Sequence, residues 1–169
     1  MDRPLVIKVA SISAARMQVY FIDNEDYFHR KSVYHDADGR FFKDNGERAI
    51  FFARGVLETV KKLRWAPDVI HCQGWISQVL PIYLKKAYKD DPIFSNSKVV
   101  LSLYGDTPTT DFLADFKDRI LFGGVSEKDV EILAEPTGIN LAKLAASYSD
   151  GIILGSEDVA PELLAYCQE

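Results

Sequence analysis

The spacing of apolar and polar residues divides the chain into strands and helices. Residues 5–10 and 17–22 alternate and read as strands. The short stretch 11–16 between them suits an antiparallel hairpin. Residues 23–46 are rich in Asp, Asn, Gly and Tyr without a period, which predicts a long loop. Helical spacing then appears at Ile50, Ala53, Leu57 and Val60. Asp44-Asn45-Gly46-Glu47 reads as a capping box opening that helix, and Pro67 closes it. The stretch Pro67 to Trp75 is a turn residue followed by a short apolar run, the pattern of a buried parallel strand. Ile76, Val79, Leu80, Tyr83, Leu84 and Ala87 continue as a helix, where Pro81 either makes a kink or opens a second segment. Another buried strand is predicted over 98–103, with a turn at 104–108. Helices are predicted over 110–120, 126–133 (capped by Ser126) and 138–148. A strand at 151–154 and a helix at 157–167, capped by Ser156, complete the order. Alternating strands and helices imply an α/β domain with a mostly parallel sheet, helices on both faces and an added antiparallel hairpin.

Composition changes little in this picture. The chain has 169 residues, 47% of them hydrophobic and 27% charged, which fits one globular domain. A formal net charge of -5 argues against nucleic acid or an anionic membrane as partner. The basic run Lys61-Lys62-Leu63-Arg64 falls in the last turn of a predicted helix, where cations complement the dipole. Two cysteines, Cys72 and Cys167, give no disulfide framework and suit a reducing cytoplasm. No apolar run has the length of a membrane span and no signal-peptide pattern opens the chain.

Candidate chemistry gathers where the 67–75 strand should end. In open α/β sheets, ligands bind at the carboxyl ends of strands. His71 is open to two readings, a satisfied structural histidine or a site residue. Gln73 adds an amide and Trp75 a flat face for stacking on a sugar or base, a mixture typical of small-molecule sites. His29, His35 and His71 lack the spacing of a metal site, and no cofactor motif, Walker sequence or nucleophile elbow is present.

Several stretches resemble the amino-terminal domain of bacterial glycogen and starch synthases. They are Val19 to Asn24 with Tyr27, Phe28 and Arg30; Asp44 to Phe52; Pro67 to Trp75 running on to Lys85; and Ile139-Asn140 through Ser156. In detail the chain is most similar to short, single-domain members of Bacteroidetes type. The resemblance implies one half of a two-domain glycosyltransferase fold, in which Rossmann-like domains face one another. Glucose would pass from ADP-glucose to an α-1,4-glucan such as glycogen, with no further cofactor. It also implies a catalytic role for His71 and substrate-binding roles for Asp44, Asn45, Arg48, Gln73, Trp75 and Tyr104.

The departures from the family pattern bear on activity. His-x-His-Asp-Trp-His becomes His71-Cys72-Gln73-Gly74-Trp75-Ile76, and His-Asn at the next strand end becomes Leu103-Tyr104. Gln73 is neither acid nor base, and Gly74 and Ile76 offer no side-chain hydrogen bond. The family's first strand with its Lys-x-Gly-Gly loop, and its carboxy-terminal nucleotide domain, have no counterpart over residues 1–169. The chain is therefore expected to be a partial amino-terminal domain, inactive in isolation. A nucleotide-binding second domain or a homo-oligomer is then the expected partner. The alternative is a non-catalytic domain that binds glucan or docks on a partner.

Overall fold

A computed structural model describes residues 3–169, which form two compact units divided between Phe42 and Lys43. In the first unit, β1 (Val6–Ile12) pairs with β2 (Met17–Asp23) as the expected antiparallel hairpin, from Val6↔Asp23 to Ile12↔Met17. The stretch expected to be loop holds a short helix, α1 (Glu25–Phe28), and a bridge between His35 and Phe41. Local side-chain bonds build both features, which is why no apolar period announced them. Asn24 Oδ1 accepts from the amides of Asp26 (3.0 Å) and Tyr27 (3.1 Å). Asp36 Oδ1 accepts from the amides of Asp38 and Arg40, each at 2.9 Å.

The second unit begins with α2 (Asn45–Leu63). Asp44 holds the N-cap position, but its side chain does not bond to the helix amides. The Asp44 half of the expected capping box is therefore not made, and Glu47 pairs with Arg119 at 2.8 Å. Ala49, Ala53 and Leu57 are buried, and Arg64 ends the helix in the left-handed conformation. The strand β3 (Val69–Gln73) follows, then a 3-10 turn, Trp75–Ser77. Pro81 lies in the first turn of α3 (Leu80–Ile82), so it opens a new segment.

Next come β4 (Lys98–Leu103), α4 (Phe116–Ile120), a 3-10 segment Lys128–Ala134, α5 (Gly138–Ser147), β5 (Gly151–Leu154) and α6 (Pro161–Cys167). The sheet is parallel with order β3-β4-β5. Central β4 buries residues of both faces, Val99, Leu101 and Leu103 on one and Ser102 on the other. Asp150 aligns β5 on β4: its amide donates to Val99 O and its Oδ2 accepts from Val99 N, both at 2.8 Å. Lys85 Nζ donates to the same carboxylate at 2.7 Å.

Several helices differ from expectation: the one expected over 126–133 is the 3-10 segment from Lys128, the one expected from Ile76 is α-helical only over Leu80–Ile82, and two more start late. The helix expected over 110–120 is regular only from Phe116, because the Phe112 amide is bonded instead to Pro136 O at 2.8 Å. The last helix starts at Pro161, preset for a first turn, rather than at Glu157. Ser156 therefore caps no helix and faces the loop after β4. Among the described residues, no helix is long and apolar enough to cross a membrane.

Candidate functional site

At the carboxyl ends of β3 and β4, His71, Gln73 and Tyr104 meet Ser102. In-register pairing sets this up, since His71 lies opposite Val100 and Gln73 opposite Ser102. His71 Nε2 lies 2.7 Å from Ser102 Oγ, and Gln73 Nε2 lies 3.4 Å from His71 Nδ1. The Tyr104 hydroxyl donates to Gln73 Oε1 at 3.4 Å. The contacts are consistent with one direction of donation. Tyr104 donates to the Gln73 carbonyl, the Gln73 amide donates to Nδ1, and Nε2–H donates to Ser102. Both imidazole nitrogens thus have partners, though the amide contact is long enough for a ligand hydroxyl to replace it.

The turn after β3 needs Gly74, whose φ of +79° is a conformation that side chains disfavour. It presents the Trp75 amide to Asp106, whose Oδ2 accepts it at 3.0 Å. The indole is turned inward. Trp75 is 2% exposed, with its ring centroid 5.7 Å from that of Phe112. The expected open stacking face is therefore a buried packing element. Phe112 continues to Phe116 at 4.6 Å, and a Cβ on Gly46 would stand 2.7 Å from the Phe116 ring. This aromatic row ties the start of α2 to the turn behind β3. Asn45 and Arg48 lie at that helix start, both buried, with Arg48 donating to Asn45 Oδ1 at 2.6 Å. The structure thus joins His71, Gln73 and Tyr104 directly, and links the Asp44–Arg48 stretch to Trp75 through packed rings.

Beside this strand end lies a cavity of about 380 Å³ that the sequence reading did not identify. The loops after β4 and β5 and the start of α5 line it. Its polar lining comprises Thr107, Thr109, Asp111, Thr137 and Asp158. Thr137 caps α5, accepting from the Asn140 amide at 3.0 Å. The Ser156 hydroxyl donates to Asp158 and accepts from the Gly105 amide at 3.2 Å. The Ser156 hydroxyl chiefly, then the amide of Asp158 itself and to a lesser extent that of Gly105, hold the Asp158 carboxyl below its ordinary range. The loops approach so closely that a Cβ on Gly105 would fall 2.1 Å from Asp158 Oδ2. Carboxylates and hydroxyls without a lining cation favour a neutral, hydroxyl-rich ligand over an anionic one. The sequence signal was the pair of adjacent strand ends, Tyr104-Gly105 and Gly155-Ser156, whose convergence depends on the β4-β5 pairing.

Burial pushes the Cys72 thiol up to about 12, so it is no nucleophile beside His71. Among the described residues, no group of three or more His, Cys, Asp or Glu side chains could hold a metal ion.

Residues 2–168 match the family model of the starch synthase catalytic domain. The chain is 37% identical over 148 residues to a glycogen synthase of Clostridium perfringens, covering 85% of this chain and 29% of that protein. It is 32% identical over 164 residues to a glycogen synthase of Chlorobium phaeobacteroides, covering 91% of this chain and 33% of the relative. Over 101 residues it is 42% identical to the glycogen synthase of Chlorobium limicola, 59% of this chain and 21% of that one. The chain thus spans about a third or less of the relatives' length. Among solved structures, the catalytic domain of starch synthase IV from Arabidopsis thaliana, bound to ADP and acarbose, has the same fold. Its TM-score is 0.64 at 15% identity, over 88% of this chain and 29% of that one.

Proposed function

This chain belongs to the starch synthase catalytic domain family, and from that premise we propose that it is the acceptor-side part of a glucosyltransferase. The reaction is transfer of glucose from ADP-glucose to an α-1,4-glucan such as glycogen. A nucleotide-binding second domain completes the donor site, and the two free cysteines favour a cytoplasmic setting. The observation that carries this reading is the polar row Tyr104–Gln73–His71–Ser102 at adjacent strand ends, beside a cavity of carboxylates and hydroxyls. Such groups accept and donate to sugar hydroxyls, and at strand ends they sit where α/β sheets bind ligands.

A second reading, glucan binding without catalysis, draws support from His71 itself. Both of its ring nitrogens already have partners, and its neighbours Gln73 and Ser102 are neither acids nor bases. Two assays together separate the readings. Electrophoresis through glycogen-containing gels reports binding, and transfer of labelled glucose from ADP-glucose to glycogen reports catalysis. Retardation with transfer supports the synthase, and retardation without transfer supports the binding domain. Migration unaffected by glycogen, with no transfer, refutes both.

A further inference from the structure

We infer that Asp106 is a sugar-binding carboxylate of this strand end, held in place by the turn at Gly74–Trp75; the inference rests on the glucan reading above. Asp106 follows β4, yet its carboxylate crosses to the turn after β3, where Oδ2 accepts the Trp75 amide at 3.0 Å. Gly74 permits this approach in two ways. Its backbone adopts φ +79°, and it places no side chain in the space beside the carboxylate, where a Cβ alone would make ordinary contact with Oδ2 at 3.6 Å. A longer side chain there would compete with Asp106 for that space.

The neighbouring polar groups satisfy one another. Tyr104 donates to Gln73, Gln73 contacts His71, and His71 contacts Ser102. Asp106 differs from them. It is exposed, one oxygen is fixed by an amide, and Oδ1 has no hydrogen-bond partner among the described residues. A carboxylate has about four acceptor sites, and bonds from hydroxyls to an ionised oxygen are roughly twice as strong as neutral ones. The fixed oxygen also orients the free one, so less freedom is lost when a ligand binds. A neutral pyranose with adjacent hydroxyls matches this acceptor, whereas the negative charge disfavours a phosphate. At a position where the family pattern has aspartate this chain has Gly74, and the adjacent carboxylate comes instead from residue 106.

Asp106→Asn tests the assignment, because the amide oxygen can still accept the Trp75 amide while the charge is lost. Calorimetric titration with maltoheptaose and thermal unfolding are measured on the parent chain and the variant. The expected result is an unchanged melting temperature with the maltoheptaose Kd raised about tenfold. A variant that binds maltoheptaose as the parent does, whatever its melting temperature, shows that the carboxylate only closes the turn and overturns the inference alone. A parent chain that binds no maltoheptaose overturns the glucan reading and this inference with it.

Discussion

Replacing Trp75 by alanine distinguishes a buried packing element from an exposed sugar platform. The indole is 2% exposed and packs 5.7 Å from Phe112, which stacks on Phe116. Truncation to the β-carbon removes roughly 150 Å² of buried apolar surface, about 4 kcal/mol at 25 cal/mol per Å². Loss of the aromatic pair adds about 1 kcal/mol, and partial collapse of the cavity offsets a similar amount. A destabilisation of about 4 kcal/mol corresponds to a fall in Tm of roughly 10–15 °C for a unit of this size. Trp75→Phe, which keeps a ring against Phe112, is expected to lose less than half as much. Urea and thermal unfolding followed by far-ultraviolet circular dichroism measure both variants. If Trp75→Ala unfolds at the parent's urea midpoint but loses its retardation in glycogen gels, the indole acts at the surface and the packing argument is wrong.

Two further outcomes follow from ionisation. The Ser126 amide first, then the Ser126 hydroxyl and Lys86, hold the Asp129 carboxyl down at about 2. A depressed carboxyl stabilises the fold above its ordinary value, and that contribution fades as pH falls from about 4 towards 2. Asp129→Asn should therefore flatten the fall in urea midpoint over that window, and a slope equal to the parent's would refute the assignment. The Cys72 thiol is buried and pushed up to about 12, whereas half-buried Cys167 is raised by its own burial to a smaller extent. With a disulfide reagent at pH 8, Cys167 should react first and Cys72 only after denaturation. Equal fast reaction of both would contradict the burial.

Much of the fold was legible because it depends on local pattern. Strands 69–73, 98–103 and 151–154 stand where short apolar runs placed them, and the hairpin formed between the two alternating runs. Helix starts were less legible. Asp44 and Ser156 have the composition of caps, but the helix after Ser156 begins only at Pro161 and the Asp44 side chain makes no cap bond to the helix amides. A short polar side chain bonds the nearest suitable amide in space, and sequence does not identify that amide. For Ser156 it belongs to Gly105, in the loop after β4.

The candidate site divides along the same line. Sequence alone determined that His71 and Gln73 end a strand, that Tyr104 directly follows the next, and that Gly74 stands between Gln73 and Trp75. Their types and spacing along one strand settle that much. Tertiary structure decided the rest. Parallel register brought Ser102 to His71, helix and loop packing turned Trp75 inward onto Phe112, and the β4-β5 pairing made a cavity from loops remote in sequence. It also carried Asp106 across to the Trp75 amide, 31 residues away along the chain. Hydrophobic period encodes which face of an element is buried. Which neighbour buries it, and which polar atoms then meet, depends on the strand order and packing of the assembled sheet.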